Sequence, residues 1–381
     1  MEMQTFAYSD ETGWSLKTFP AVDSGQTLVL IFGASGFLEN PGPVQELAQA
    51  YPSSVIAGCS TSGEIFGTEI SDDSLAVAVV SFGESRLEVA TAIVNDSSES
   101  RAAGQQLSER LMADDLRGVL VLSDGLSVNG SELVQGINSI LPEDVVVTGG
   151  LAGDGDRFER TWVIQDGRPV GGVISAVGFY GDAVRIGHGS MGGWDIFGPE
   201  RRVTYAEGNV LYELDGQPAL KLYKRYLGDL ADGLPATALR FPLALRDGPD
   251  DDKSVVRTVL SVNEEDQSMT FAGDVPEGAH AQLMRANFDR LVDGAAGAAM
   301  MTRENCPDQI GPVLAIAISC VGRRLVLGEA TEEEIESTVD VLPEGTQQVG
   351  FYSYGEISPY TSGHCDLHNQ TMTLTTISEV A

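Results

Sequence analysis

Lysine is scarce in this chain of 381 residues, and its scarcity limits what the protein can bind. Lysine occurs only at positions 17, 221, 224 and 253, and the formal net charge is −33. A nucleic-acid-binding face needs clustered cations that displace counterions from phosphates. An anionic membrane surface attracts the same kind of patch. We therefore expect neither nucleic acid nor a membrane as a partner, and we attribute the charge to a solvated acidic surface.

Long hydrophobic runs are also missing. The longest, such as LAVAVV and VLAIAI, are far shorter than the roughly 20 residues that span a bilayer. The first residues, MEMQTFAYSDETGW, contain no basic region followed by an apolar one, which predicts no signal peptide. The four cysteines, at 59, 306, 320 and 365, form no disulfide pattern. These absences predict a protein of the reducing cytoplasm.

The composition is globular, with 42% hydrophobic and 21% charged residues. Short apolar runs predict buried strands at TLVLIF (27–32), SVIAGC (54–59), GVLVLSDG (118–125), VVVTGG (145–150) and VLAIAISCVG (313–322). Helices are predicted at 98–115, 129–141, 217–230 and 280–305. Consecutive strands at 161–189 then indicate an α+β fold with two closely packed mixed α/β domains and largely antiparallel or mixed sheets. The Gly- and Pro-rich stretch 192–202 is the expected joint.

Two similar polar turns follow predicted strands near opposite ends of the chain, CSTSGEIFG (59–67) and FYSYGEISP (351–359). Their similarity is too short to indicate an internal duplication. In the first turn, Ser60, Ser62, Gly63 and Glu64 offer hydroxyls, backbone N–H groups and a carboxylate to a small polar ligand. The alternative is a turn whose hydroxyls cap its own backbone. Cys59 has no histidine near it in sequence, and its place at a strand end suits a buried, inert thiol.

Two glycine-rich loops do not match nucleotide-binding motifs. GGLAGDGDRF (149–158) contains Asp154, but a predicted strand follows it and no GK[ST] motif is present. GHGSMG (187–192) matches G-x-G-x-x-G without a following helix. Phosphate binding by such loops depends on the N-terminus of a helix. We therefore interpret the first loop as a tight turn that lines a pocket.

Three predicted strand ends in the last third carry polar groups: Arg323 and Arg324 after Cys320, then Tyr352, Tyr354 and Glu356, then His368, Asn369 and Thr371. The guanidinium fork of an arginine matches a carboxylate, although Arg323 equally suits a salt bridge to an acidic neighbour. Polar groups that converge within an apolar environment indicate a small-ligand site. No motif of a known catalytic centre is present. We therefore expect a binding protein and not an enzyme.

Metal binding stays open at this point. In HCDLH (364–368) the two histidines and Asp366 share one face of a strand, which suits a metal, although a hydrogen-bonded histidine suits the pattern better. Cys306-Pro307 is a further place where a haem iron is conceivable.

Taken in order, GCSTSGEI, GGLAGDGDRF, Cys320 to Arg323 (CVGR), the second GEI and HNQT resemble the FIST sensory domain from about residue 24 to the C-terminus. The resemblance implies a FIST N-terminal domain at 24–202 and a FIST C-terminal domain at 203–381. It places the site at the residues that match the motifs: Ser60, Ser62, Gly63, Glu64, Asp154, Cys320, Arg323, Glu356, His368 and Asn369.

The resemblance also implies a role in bacterial signal transduction. FIST proteins of this length include haem-binding nitric oxide sensors that regulate a partner histidine kinase, and others accompany cyclic-di-GMP enzymes. We therefore expect a cytoplasmic small-ligand sensor, with haem as a conceivable cofactor and a signalling protein as partner. The alternative is an amino-acid or small-anion receptor without haem. A third interpretation is an enzyme that uses Cys59 or His368.

Overall fold

The structure is a computed structural model that describes residues 1–248, 254–309, 311–360 and 363–380. Helices make up 26% and strands 40%, in mixed and antiparallel sheets, which confirms the α+β class. The α-helices in the described residues are α1 (Gly42–Ala50), α2 (Ser100–Leu111), α3 (Gly130–Asn138), α4 (Ala219–Leu227), α5 (Phe288–Asn305), α6 (Val321–Leu327) and α7 (Thr331–Val341).

The strands of the first half are β1 (Glu2–Ser9), β2 (Gly13–Trp14), β3 (Thr27–Gly33), β4 (Val55–Ser60), β5 (Glu64–Phe66), β6 (Glu69–Ser71), β7 (Ser74–Ser81), β8 (Arg86–Ile93), β9 (Leu116–Ser123), β10 (Val146–Leu151), β11 (Val163–Gln165), β12 (Arg168–Val170), β13 (Val173–Tyr180) and β14 (Val184–Met191). The strands that follow are β15 (Asp195–Ile196), β16 (Arg201–Glu207), β17 (Val210–Leu214), β18 (Gln217–Pro218), β19 (Leu243–Arg246), β20 (Val255–Arg257), β21 (Val259–Asn263), β22 (Ser268–Phe271), β23 (His280–Arg285), β24 (Leu314–Cys320), β25 (Gln347–Ser353), β26 (Gly355–Pro359), β27 (Cys365–His368) and β28 (Met372–Glu379).

Within the described residues these strands form four sheets. Sheet A has the order β12-β11-β4-β3-β7-β1-β2, sheet B the order β14-β28-β24-β25-β5-β6, and sheet C the order β27-β26-β10-β9-β13-β8. Sheet D has the order β20-β19-β23-β16-β17-β22-β21, with β15 and β18 paired to β23 and β17. Sheet D is formed by strands that lie between β14 and α5 in the chain, so it is an insertion into the unit that builds sheet B.

Sheets A, B and C share one topology. Each contains a run of four neighbouring strands in which the first two pair in parallel and the next two pairings are antiparallel. The three runs are β4-β3-β7-β1, β25-β24-β28-β14 and β10-β9-β13-β8. After β4 the chain crosses into sheet B as β5 and β6, after β25 it crosses into sheet C as β26 and β27, and after β10 it crosses into sheet A as β11 and β12. The three sheets therefore interlock in a closed cycle, a three-fold repetition of topology that the sequence did not predict.

The main hydrophobic core lies where sheets A, B and C face one another. Phe32 of sheet A, Leu122 of sheet C, and Ile318 and Phe351 of sheet B are each at most 1% exposed within it. The rings of Phe32 and Phe351 lie 4.9 Å apart. Helix α1 covers the outer face of sheet A, α2 and α3 cover sheet C, and α5 and α7 cover sheet B. Strands buried on both faces explain the continuous apolar runs, such as TLVLIF.

One predicted helix was wrong in its first part. The prediction covered 280–305, but His280–Arg285 is strand β23, and α5 begins at Phe288. The buried residues of β23 include Ala281 and Leu283, a two-residue alternation that pairs with β19 in sheet D. Asn287 caps α5 by accepting a hydrogen bond from the Arg290 N–H at 3.5 Å, which marks the true start of the helix.

The proposed division at 202 and 203 falls inside strand β16. Sheet B combines β5, β6 and β14 from the first half of the chain with β24, β25 and β28 from the second. This pairing agrees with close packing of the two halves, whereas the position of the boundary stays a prediction. Among the described helices, none is long and apolar enough to cross a membrane.

Candidate functional site

The three loops that cross between sheets meet at the ends of the parallel strands. Each loop donates a backbone N–H group to a carbonyl of a neighbouring sheet: Ser62 to Tyr352 at 2.8 Å, Gly153 to Ser60 at 3.0 Å and Tyr354 to Leu151 at 3.1 Å. The carboxyl ends of parallel strands lie at one edge of a sheet, where loops collect polar groups. Strand ends that are far apart in sequence therefore converge, and the loops that meet here come from the first half of the chain as well as from its last third.

Glu64 lies buried in the first crossover turn, 1% exposed. Its carboxylate accepts hydrogen bonds from the hydroxyl of Thr61 and from the N–H and hydroxyl of Ser74, the last two at 3.0 and 2.7 Å. Burial raises the pKa of Glu64 to about 7, although these hydrogen bonds oppose the shift and the Asp72 carboxylate adds to it. The side chain ties the turn to the start of strand β7.

Glu356 repeats this arrangement in the third crossover turn. It accepts hydrogen bonds from the Ser353 hydroxyl at 2.6 Å and from the Thr371 hydroxyl and N–H at 2.9 and 3.2 Å. Burial raises its pKa to about 8 against the effect of these bonds. The similarity of the two GEI turns thus has a structural cause, because each glutamate ties a crossing hairpin to the strand that follows it.

Asp124 plays a similar role for the β11–β12 hairpin but from a different position, directly after strand β9, and the sequence reasoning missed it. Its carboxylate accepts hydrogen bonds from the Thr161 hydroxyl at 2.7 Å and from the Gly172 N–H at 3.1 Å, directly before strand β13. The signal was present in GVLVLSDG, where an aspartate follows a buried strand.

Asp154 organises the long second crossover loop. Its carboxylate accepts backbone N–H groups of Phe158, Glu159 and Arg160 at 2.9 to 3.0 Å, and the Tyr354 hydroxyl. Burial by itself raises the pKa of Asp154, but these hydrogen bonds outweigh it and hold the pKa below its ordinary value. The Tyr354 ring stacks on Phe158 with centroids 4.4 Å apart. Both predicted residues therefore hold the loop in place.

Arg323 is fully buried, and its guanidinium is already bound by protein groups. It donates to Glu334 at 2.6 Å, to the Leu291 carbonyl at 2.8 Å and to the Gly192 carbonyl. Of the two interpretations left open, the salt bridge is therefore the one the structure contains. The ion pair joins α6, α7 and the segment after β14, and Arg323 does not line the cleft described below.

Arg324, the next residue, does face an open cleft of 710 Å³. Its guanidinium donates to both carboxylate oxygens of Asp72, at 2.7 and 2.8 Å, and to the Ser62 carbonyl at 2.6 Å. The two arginines point in different directions because consecutive residues on a helix are separated by about 100°. Arg324 was therefore a better candidate than Arg323, once α6 is known to begin at Val321.

The cleft is polar, and carboxylates outnumber arginines in its wall. Arg157 lines it and donates a hydrogen bond to the Ser35 hydroxyl at 3.3 Å. Of the predicted site residues, Ser62, Gly63 and Glu64 line the cleft. The wall is formed by Ala34, Thr61, Ser62, Gly63, Glu64, Ile70, Asp72, Asp73, Gly155, Asp156, Arg157, Val321, Arg324, Leu325, Gly328, Glu329, Thr331 and Glu332.

The other predicted residues lie away from this cleft. The Ser60 hydroxyl accepts the Trp162 N–H at 3.0 Å, and Cys320 is buried, which raises its pKa. Nε2 of His368 lies 3.0 Å from the Ser358 carbonyl oxygen, and Asn369 donates to the His368 carbonyl at 3.0 Å. These groups connect loops of sheets A, B and C.

The predicted metal trio at 364–368 does not assemble. His364 is exposed and lies 3.6 Å from Glu143, whereas His368 is buried against Ser358. Across the described ranges, no three His, Cys, Asp or Glu side chains group in a way that holds a metal ion. The hydrogen-bonded histidine, the other interpretation of HCDLH, is the one the structure contains.

Comparison with known proteins gives a distant relative and a distant structural neighbour. An uncharacterized protein of Methanocaldococcus jannaschii is 26% identical over 275 residues, which is 65% of this chain and 51% of that protein. The chain thus spans about half the length of this relative. The crystal structure of cyanuric acid hydrolase from A. caulinodans aligns over 93% of this chain and 90% of its own, with a TM-score of 0.33 and 11% identity. A similarity that weak carries no argument about activity.

Family models match most of the chain. The FIST N domain model matches residues 27–217, and the FIST C domain model matches residues 219–359. The matched residues contain all three crossover turns and the cleft between Gly63 and Arg324. The chain belongs to the FIST family.

Proposed function

We propose that this protein is a sensor whose ligand is a small zwitterion, such as an amino acid, bound in the cleft beside Arg324. FIST domains are small-ligand-sensing domains of signal transduction. The volume of 710 Å³ lies within the range of small-molecule sites. A single site that presents arginines and carboxylates together matches a ligand that carries both charges.

The position of Arg324 beside Gly63 carries this proposal. A Cβ at position 63 would lie 2.4 Å from Nη1 of Arg324, so the glycine leaves the room that the guanidinium occupies. The ligand carboxylate binds Arg157 and the outer edge of Arg324, because guanidinium groups pair with carboxylates in a bidentate manner. The ligand ammonium faces the carboxylates of the wall outside the Arg324–Asp72 pair, such as Asp156, Glu329 and Glu332.

Haem does not fit this cleft. Its wall contains no histidine, cysteine, methionine or tyrosine, the side chains that ligate haem iron in proteins. A second cavity, beside His368, has a volume of 240 Å³, smaller than an ordinary cofactor site. We therefore favour a receptor without haem over a haem-based nitric oxide sensor.

The proposal includes a separate signalling partner in the cytoplasm, such as a histidine kinase or a cyclic-di-GMP enzyme. The family assignment to signal transduction supports it. All four cysteines are free and buried, which suits a reducing compartment. We also propose binding and not catalysis. Burial raises the pKa of Cys59 well above its ordinary value, which makes it a poor nucleophile.

A thermal-shift screen over the standard amino acids, followed by calorimetric titration of those that stabilise the protein, tests the proposal. A ligand at about 100 times its Kd adds about 2.7 kcal/mol to the free energy of unfolding. We expect Arg157→Ala to weaken binding about tenfold, since it removes a charge-assisted hydrogen bond.

Arg160→Ala is the matched control. Arg160 is an exposed arginine of the same loop that pairs with Glu39 at 2.7 Å and lies outside the cleft wall. The Arg160→Ala variant should bind the amino acid as tightly as the unchanged protein does. The absence of stabilisation by every amino acid, or equal losses in both variants, contradicts the proposal.

An absorption spectrum of the protein incubated with haem decides between the two sensor types. We expect no stoichiometric Soret band. A band at a ratio of one haem per chain, shifted by nitric oxide and lost in one His→Ala variant, replaces this proposal with the haem sensor.

A further inference from the structure

A second open groove lies among the end of α4, the segments that flank β19 and β23, and the start of α5. Its volume is 440 Å³. Aromatic and aliphatic side chains form most of its wall, with two arginines among them: Phe197, Tyr226, Leu227, Leu230, Arg240, Phe241, Arg285, Ala286 and Phe288. None of these residues lines the cleft beside Arg324.

The two arginines of the groove, Arg240 and Arg285, are exposed to solvent. Among the described residues, neither Arg240 nor Arg285 forms an ion pair. Asp195, which stands opposite Arg285 in the strand register, binds Arg290 instead, at 2.5 Å. In a chain of net charge −33, two neighbouring exposed arginines without acidic partners in the described part of the chain give the groove a local positive charge that attracts anions.

The apolar part of the groove is exposed. Leu230 is 53% and Phe288 45% exposed, and both belong to its wall. The guanidinium carbon of Arg285 lies 5.7 Å from the ring centroid of Phe197, and the Phe197 and Phe241 rings lie 6.1 Å apart. The charge of Arg285 is thus held directly beside an aromatic surface.

The frame around these side chains is fixed by hydrogen bonds. The Tyr223 hydroxyl donates to the Phe241 carbonyl at 2.7 Å, and the Ala286 N–H donates to the Arg240 carbonyl at 3.1 Å. Arg201 donates to the Tyr226 hydroxyl at 2.7 and 3.0 Å, which leaves the Tyr226 ring on the groove. A preformed wall reduces the entropy that a ligand loses on binding.

We propose that this groove binds a small organic carboxylate with an aromatic or aliphatic body. The apolar body covers Phe197, Leu230 and Phe288, and the carboxylate accepts hydrogen bonds from Arg240 and Arg285. The volume suits such a molecule. A large acidic partner or a second copy of the chain fits less well, because a net charge of −33 repels it at long range.

Calorimetric titration with 4-phenylbutyrate, with its neutral amide 4-phenylbutyramide as the comparison ligand, tests this site in the full chain. We expect saturable binding of one carboxylate per chain and at least about tenfold weaker binding of the amide, since charge-assisted hydrogen bonds are the stronger ones. Arg285→Gln and Arg240→Gln should each weaken phenylbutyrate binding by about tenfold.

Arg225→Gln serves as the control, because Arg225 is an exposed arginine of helix α4 outside the groove wall. It should bind phenylbutyrate like the unchanged protein, and melting curves of all three variants verify that they are folded. Equal affinity for acid and amide, or no effect of either groove variant, overturns the proposal.

Sedimentation velocity tests whether a second copy of the chain, and not a small ligand, covers the groove. A dimer that Leu230→Ser dissociates makes the groove an interface between copies and overturns the small-ligand assignment. Failure of this experiment leaves the amino-acid site untouched, because Arg157 and the cleft beside Arg324 take no part in it.

Discussion

At the scale of single residues, buried carboxyl groups at strand ends are the most consequential side chains of this protein. Glu64, Asp124 and Glu356 each accept hydrogen bonds from a crossover loop and from the residue that precedes or begins the next strand. A buried acceptor that loses its donors costs about 1–3 kcal/mol. These groups therefore specify how the loops cross between sheets.

The raised pKa of Glu64 makes stability depend on pH. The carboxyl titrates near 4.5 in the unfolded chain and at about 7 in the folded one, because burial disfavours the charged form. The folded state thus binds the extra proton between these values. The contribution to the free energy of unfolding is complete below about pH 4.5 and is lost as the pH rises through 7.

Glu64→Gln should flatten this dependence. Because glutamine does not titrate, the fall in the free energy of unfolding between pH 5 and 8 should be smaller in the variant by an amount on the order of 3 kcal/mol. Urea unfolding of both proteins at several pH values measures this difference in the free energy of unfolding. Glu69→Gln, an exposed glutamate of the same hairpin, should retain the full dependence. Parallel pH profiles of the unchanged protein and the Glu64 variant contradict the assignment.

At the scale of elements, the β5–β6 hairpin connects the cleft to the core. It leaves sheet A after β4, pairs with β25 in sheet B, and forms part of the cleft wall. Helix α6 places the Arg324 guanidinium against the turn that precedes this hairpin, where it donates to the Ser62 carbonyl. The ligand proposed for this cleft would therefore contact the hairpin that connects sheet A to sheet B.

Gly63→Ala tests this contact. Residue 63 has a φ of +130°, and a Cβ there would lie 2.4 Å from the Arg324 guanidinium. We expect a loss of about 3 kcal/mol in the free energy of unfolding, together with weaker ligand binding, since both backbone strain and a displaced arginine contribute.

Gly67→Ala is the matched control in the same hairpin. Its φ is +61°, but no heavy atom lies within 4 Å of the added Cβ. Its cost should be about 1–2 kcal/mol, from backbone strain alone. Equal costs in the two variants show that the space beside Arg324 has no special role.

At the scale of the whole molecule, interlocking joins the two halves of the chain into one unit. Sheet B takes β5, β6 and β14 from the first half, and sheet C takes β26 and β27 from the second. The shared core contains residues from all three sheets, so that a separated half exposes apolar surface to water. The wall of the cleft likewise contains residues of both halves, such as Gly63 and Arg324.

Separate expression of residues 1–193 and 194–381 tests this dependence. We expect neither half alone to unfold cooperatively, because each lacks strands that complete its sheets, and we expect the two to co-purify when expressed together. Circular dichroism melts and size-exclusion chromatography measure both outcomes. A sharp unfolding transition of each isolated half contradicts the interlocked unit.

Local patterns in the sequence determined much of the secondary structure. The apolar runs at 27–32, 118–123 and 314–320 form strands where they were predicted, because burial of both faces leaves a continuous hydrophobic signal. The pattern failed at 280–285, where the apolar residues suit a helix and a strand equally. Only the pairing of that segment with sheet D distinguishes the two.

The sequence by itself determined the acidic surface, the family motifs and the placement of Ser62, Gly63 and Glu64 in a turn after a strand. The tertiary structure decided which polar groups face open space. Arg323 and Arg324 are adjacent in sequence, yet one lies in the core with Glu334 and the other lines the cleft with Asp72. The reason is physical, since the direction of a helical side chain and the strands that surround it depend on contacts between residues far apart in the chain.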